Sequence, residues 1–250
     1  MTDNIMKKLT ILILALAVSM AAVAQTPVPD TPTPNKPAAA ARPVPAAPQL
    51  AANSYILTDF NSGRILVEQN ADLRVEPASI TKLMTAYVVF RELEEGNITL
   101  QETVQVSEKA WRTGGSRMFI EPDMQVKVED LMRGMIIQSG NDASVALAEH
   151  IAGSEEAFAG LMNHYAEQLG MTGTNFTNST GLPDPDHYTT ARDITALSAA
   201  TVRDFPDYYT WYSEKEFTFN NIRQHNRNTL LWRDPAIDGL KTGHTEAAGY

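Results

Sequence analysis

Residues 76–85 read EPASITKLMT, and the helix this stretch opens organises the rest of the chain. Pro77 suits the first position of a helix, where its missing N–H would have had no partner. From there a helix is predicted through SITKLMTAYVVFREL, with Leu83, Tyr87 and Phe90 on one apolar stripe and Gly96 as its stop. Ser79 and Lys82 are three apart, so they share a helical face and their side chains can come within hydrogen-bond reach. Serine is a weak nucleophile that needs a base, and lysine can serve if burial or a nearby cation lowers its pKa. Alone the pair says little: average residue usage gives about one Ser-x-x-Lys by chance in a chain of this length, and an exposed Ser beside a solvated Lys accounts for it.

Upstream, Tyr55–Phe60 reads as a strand, Asn61-Ser62-Gly63 as a turn and Arg64–Val67 as the return strand of a hairpin. Residues 26–48 hold eight of the 14 prolines, mixed with alanine, and read as a semi-rigid polyproline II tether. Before that, Lys7-Lys8, the apolar run Leu9–Val18 and the small-residue site Ala22-Val23-Ala24 have the order of a cleaved secretory signal peptide. A membrane anchor is the other reading, but the run is short for a span of roughly 20 residues. The expected organisation is a signal peptide at 1–24, a linker at 25–50 and one domain at 51–250, delivered across the inner membrane to the periplasm.

Downstream, Thr113-Gly114-Gly115-Ser116 reads as a loop, and Val128 opens a helix that ends at Ser139-Gly140-Asn141. DASVALAEHIA forms the next. Ser154 caps another, whose Phe158, Leu161, Met162, Tyr165 and Leu169 are amphipathic and which Gly170 closes. Thr190 and Asp193 start one more, bounded by Pro206. Phe217–Phe219, Leu230–Trp232 and Leu240–Thr245 are predicted strands. A hairpin, then helices, then strands predicts an α+β fold, or an α/β layering with a helical lobe inserted between the first and last strands of one antiparallel sheet.

The net charge of −10 gives no basic face for a nucleic-acid partner, and the absence of cysteine removes disulfides and thiol chemistry. Five scattered histidines show no metal-ligand spacing, so no metal and no cofactor are expected.

Two further triplets can carry chemistry. Ser139-Gly140-Asn141 can point a hydroxyl and an amide into a cleft, although a helix C-cap followed by an Asn N-cap explains it too. Lys241-Thr242-Gly243 offers a cation, a hydroxyl and a bare backbone edge along which a ligand could lie. The order Ser79-x-x-Lys82, Ser139-x-Asn141, Lys241-Thr242-Gly243 is the set found in active-site serine penicillin-binding proteins and class A β-lactamases, with Gly140 where the lactamases have Asp.

With the flanks EPASITKLMT, IIQSGNDASVALAEH, EFTFNNIRQHNRNTLLW and IDGLKTGHTEAAGY, the chain from about Ser54 to Tyr250 resembles the D-alanyl-D-alanine carboxypeptidases, the low-molecular-mass penicillin-binding proteins. The resemblance implies a β-lactamase/transpeptidase-like fold and removal of the terminal D-alanine from peptidoglycan pentapeptides through an acyl-enzyme, with β-lactam antibiotics as inhibitors. It makes Ser79 the nucleophile, Lys82 the base for acylation and Ser139 the serine that passes a proton to the leaving group. Asn141 matches the residue that binds the substrate amide, and Lys241 and Thr242 the pair that recognises the terminal carboxylate. His244 and Arg227 match positions near that carboxylate pocket, and Asp204 a supporting acid behind the site. The oxyanion would be held by the Ser79 N–H and one N–H near His244.

A β-lactamase needs a further carboxylate for deacylation, and no Glu-x-x-Leu-Asn follows Ser139. Family members continue past the Lys-Thr-Gly strand into a pairing strand and a C-terminal helix. Against that pattern the C-terminal part of the fold is expected to be missing; if these residues are the whole polypeptide, an exposed strand edge, low stability and low or no activity are expected, and the alternative is that they are part of a longer gene product. A non-catalytic peptidoglycan-binding protein is then the third reading, and membrane association would need segments outside this chain.

Overall fold

The computed structural model describes residues 46, 47 and 50–249. The leader and nearly all of the proline-rich tether lie outside them. From Ala47 onward the chain forms one compact unit.

The helix read from Pro77 forms in two steps. Ala78–Thr81 make a 3-10 turn, and α1 (Lys82–Glu94) continues from it. Ala78 enters the turn at φ +46°, a left-handed backbone that an L-residue adopts only when its surroundings impose it. The single apolar stripe expected on α1 is corrected: all nine residues from Lys82 to Phe90 are buried. A helix apolar on every side is one enclosed on every side. Four helices enclose α1: α3 (Val128–Ile137), α4 (Asn141–Ala152), α5 (Glu155–Gln168) and α6 (Ala191–Asp204). At its far end Phe90 stacks on Tyr208 with centroids 4.9 Å apart, against Phe205 and Trp211.

The caps read from the sequence form. Ser154 Oγ accepts from Ala157 N at 3.1 Å, Thr190 Oγ1 accepts from Asp193 N at 3.1 Å, and Gly170 takes φ +73° after α5. Pro206 bounds α6, which ends at Asp204, and it opens the short α7 (Pro206–Tyr209). One short helix was not foreseen: α2 (Glu108–Arg112) is capped by Ser107, whose Oγ accepts from Ala110 N at 3.0 Å.

The strands differ most from expectation. β1 (Tyr55–Thr58) pairs with β2 (Ile65–Gln69), β3 (Thr103–Gln105) with β4 (Gln125–Lys127), and β5 (Glu216–Phe219) with β6 (Ile222–His225), each pair antiparallel. Among the described residues these are three separate two-stranded sheets, not one sheet spanning the first and last strands. The return strand β6 follows from Asn220 and Asn221, both at positive φ (+47° and +62°), the two-residue turn that matches strand twist.

Two expected strands are absent. Thr229–Trp232 is a 3-10 turn because Asn228 Oδ1 accepts from Leu230 N at 3.2 Å, a capping contact that the apolar run concealed. Residues 240–244 join no strand pairing, and Thr245 makes only an isolated antiparallel bridge with Gly249. Side-chain contacts fix their approach instead: Asn228 Nδ2 donates to Gly239 O at 3.0 Å and the Tyr209 hydroxyl to Asp238 at 2.7 Å. No helix among the described residues is long and apolar enough to cross a membrane.

Candidate active site

The enclosure of α1 sets the chemistry of its first residue. Lys82 is 1% exposed, and an ammonium so buried needs a partner for every proton. Its Nζ donates to Ser79 Oγ at 3.1 Å, to Asn141 Oδ1 at 2.6 Å and to Thr180 O at 2.6 Å. Burial pushes its pKa well below the usual lysine value, the Lys241 cation pushes it further, and the Asp142 carboxylate opposes both. A neutral amine one hydrogen bond from a serine hydroxyl can take that hydroxyl's proton.

The connection from α3 to α4 brings in the second triplet. Ser139 is 4% exposed and held at φ +67°, where a side chain is strained. A Cβ on Gly140 would lie 2.9 Å from Asp142 Oδ1 and 3.2 Å from Met118 N, so an aspartate does not fit there without rearrangement. Asn141 is not a capping residue: its side chain makes no cap bond and instead bridges Lys82 and Gly114 O, the latter at 2.6 Å. Its own N–H donates to Ser116 O at 2.7 Å.

The third triplet closes the group. Lys241 Nζ donates to Ser139 Oγ and to Thr242 O, both at 3.0 Å. Burial of this ammonium, helped by the Arg227 cation, lowers its pKa to about 7. A charged Lys241 lowers the Lys82 pKa, so the Lys241 cation favours the neutral form of Lys82. Gly243 brings the segment against the Ser79 turn: a Cβ there would lie 3.1 Å from Pro77 O and from Ile80 N. Thr242 and His244 are exposed on this segment. Arg227 is exposed, with Nη2 3.5 Å from Ser116 Oγ. Ser79, Lys82, Ser139, Asn141 and Lys241 thus converge. Asp204, the last residue of α6, faces α1, where it accepts from the Tyr87 hydroxyl at 2.9 Å and pairs with Arg91, and it also pairs with Arg203.

Two groups escaped sequence reading. Asp142 is 1% exposed and takes the N–H groups of Met118, Phe119, Ile120 and Ala143 on its two oxygens. It thereby holds the loop that supplies Gly114 O and Ser116 O to Asn141. The other is the Thr180 carbonyl. Its turn is built by Asn178 Oδ1, which accepts from Thr180 N at 3.1 Å and Gly181 N at 2.7 Å. Asn-Ser-Thr-Gly ahead of Pro183 was the available signal for such a turn.

Gly181 has φ +81°, and a Cβ on it would fall 1.8 Å from Ala78 O. Backbone cannot yield as a flexible side chain does, so Gly181→Ala is expected to destabilise the protein by more than about 2 kcal/mol. Urea unfolding checks this; an unchanged midpoint would mean the turn does not pack on Ala78 as described.

Residues 41–250 match the protein family described as D-alanyl-D-alanine carboxypeptidase. The chain belongs to that family. D-alanyl-D-alanine carboxypeptidase DacA of Escherichia coli K12 is 50% identical over 214 residues, 83% of this chain and 53% of DacA. DacF of Bacillus subtilis is 37% identical over 208 residues, 80% of this chain and 52% of DacF. Among solved structures, penicillin-binding protein 5 of Haemophilus influenzae matches with a TM-score of 0.80 at 50% identity, over 83% of this chain and 61% of that one. Penicillin-binding protein D2 of Listeria monocytogenes in its ampicillin-bound form matches with a TM-score of 0.73 at 29% identity, over 82% and 84%. The mixed helix-and-strand fold is therefore that of the penicillin-binding carboxypeptidases. The chain spans about half the length of the curated carboxypeptidases it matches.

Proposed function

We propose that the protein is a serine-type D-alanyl-D-alanine carboxypeptidase that removes the terminal D-alanine from peptidoglycan pentapeptides through an acyl-enzyme on Ser79. The observation that carries the reading is the Lys82 amine, 1% exposed and 3.1 Å from Ser79 Oγ. Neutral Lys82 takes the Ser79 proton as Oγ attacks the carbonyl of the penultimate D-alanine. The Ser79 N–H and one from the segment near His244 hold the oxyanion. Ser139, hydrogen-bonded to Lys241, passes a proton to the departing D-alanine nitrogen as the C–N bond breaks. Asn141 orients the substrate amide. Lys241 and Thr242, with His244 and Arg227 beside them, receive the terminal carboxylate. Water then hydrolyses the ester.

β-Lactam antibiotics, which carry a carboxylate on the carbon attached to the lactam nitrogen as the peptide does on its terminal D-alanine, are proposed to acylate the same serine. The β-lactamase alternative is not favoured. Asp142, the carboxylate that acts on Lys82, has both oxygens committed to backbone N–H groups and cannot readily activate water. We also propose secretion by the leader at 1–24 to the periplasm, where peptidoglycan lies.

The test is D-alanine release from a diacylated L-Lys-D-Ala-D-Ala tripeptide. Release is expected from the protein and not from Ser79→Ala; a folded protein that releases none would contradict the reading. The pH profile adds a sign. Activity needs Lys82 neutral and Lys241 charged, so kcat/KM should rise with pH through the lowered Lys82 pKa and fall as Lys241 deprotonates near 7. A bound carboxylate stabilises the Lys241 cation, so the alkaline limb of kcat should lie at higher pH than that of kcat/KM. An amide-capped tripeptide should lack that limb.

A further inference from the structure

His187 sits beneath the site with both ring nitrogens engaged. It is 3% exposed, on the segment whose next residues pair their backbone with Asn175 and Val75. Nδ1 lies 3.0 Å from the N–H of Thr177, and Nε2 lies 2.8 Å from Thr81 Oγ1. A backbone N–H can only donate, so Nδ1 is the acceptor, and Nε2 carries the proton and donates to Thr81. Burial pushes the ring's pKa down to about 4, against Asp184, so this neutral tautomer persists across the physiological range.

The two partners belong to the two segments that hold Lys82. Thr81 lies in the turn between Ser79 and Lys82. Thr177 leads into the Asn178 turn, which presents Thr180 O to Lys82 Nζ at 2.6 Å. One further tie joins the same segments, from Thr85 Oγ1 to Ser179 O at 2.7 Å. The Thr85 tie lies one turn deeper on α1, whereas the histidine acts at the level of Ser79.

We infer that His187 is a positioning residue that fixes Lys82 Nζ against Ser79 Oγ by tying Thr81 to the Thr177–Thr180 turn. It touches no reacting atom. The inference rests on the reading of Lys82 as the base for Ser79. Without the tie, the Thr180 carbonyl and the Ser79 turn separate, and the amine is no longer held on the line of proton transfer. Misplacement on the order of 1 Å costs about 100-fold in rate.

The experiment is the second-order rate constant for acylation of Ser79 by a fluorescent penicillin, with melting temperatures recorded alongside. His187→Phe keeps an aromatic ring and loses both bonds; Thr81→Val keeps shape and loses one. Each is expected to lower the constant about 100-fold. Because both break one link, the double variant should be no slower than the slower single variant. His187→Gln, whose amide can still donate to Thr81, should recover most of the loss. Wild-type rates in His187→Phe, or losses that multiply in the double variant, would overturn the inference. Should His187→Phe not fold, Thr81→Val carries the test, and an unchanged constant there has the same consequence. A folded wild type that is never acylated would remove the functional reading itself, which separates the two failures.

Discussion

Lys82→Arg is expected to lower acylation of Ser79 by about 10³-fold, within the range that a positioned base contributes. The substitution keeps hydrogen-bond donors on a side chain of similar length, and it removes the capacity to be neutral at pH 7, the state in which Lys82 acts as base. That property follows from the environment: enclosure on all sides of α1, with Lys241 close by. A guanidinium can still donate to Asn141 Oδ1 and Thr180 O, so a circular dichroism melt should show a folded protein. Stopped-flow acylation by a penicillin measures the loss. If Lys82→Arg reacted within tenfold of wild type, charge would be what matters at this position and the base assignment would be wrong. Lys241→Arg supplies the contrast, since there the charge is what a carboxylate needs and the loss should be milder.

Asp142→Ala is expected to cost about 3–5 kcal/mol of stability and most of the activity. Four N–H groups lose their acceptor at once, and each unsatisfied buried donor costs about 1–3 kcal/mol before water or relaxation offsets part of it. The effect spreads because the loop held by Asp142 carries Gly114 O and Ser116 O, which hold Asn141, and Asn141 holds Lys82. Urea unfolding reads the first part. The second has a signature of its own: Asp142 raises the Lys82 pKa, so any residual acylation should have its acid limb at lower pH than wild type. A stable Asp142→Ala protein with a normal profile would show that the loop is held by other means.

The residues proposed to bear chemistry were legible, and the burial and contacts that would make them competent were not. Ser79 and Lys82 could be paired because a three-residue spacing fixes a helical face. Their burial could not be read from the single stripe assigned to α1, though the run LMTAYVVF already carried the signal of a helix enclosed all round. Asn141 looked like a cap because asparagine often is one, and only tertiary contact turned its side chain to Lys82. The Thr180 carbonyl is a backbone atom and leaves no residue-type signature; the Asn178-to-Gly181 turn that aims it does. His187 lies 106 positions from the Thr81 it bonds, a distance no local pattern spans.

Strand reading failed at Leu230–Trp232 for a common reason. Short apolar runs such as Leu230–Trp232 carry the same pattern whether they extend or turn, and the Asn228 cap decided. At Ile222–His225 the opposite happened, and Asn220-Asn221 was an unused hairpin signal.

The central claim is that Ser79, activated by buried Lys82, is an acyl-transfer nucleophile. Intact-protein and peptide mass spectrometry after brief incubation with benzylpenicillin tests it most directly. The account predicts one adduct with the mass of the intact drug, on the peptide containing Ser79, persisting over minutes and absent in Ser79→Ala. A folded protein that forms no adduct, or forms it on another residue, would contradict it.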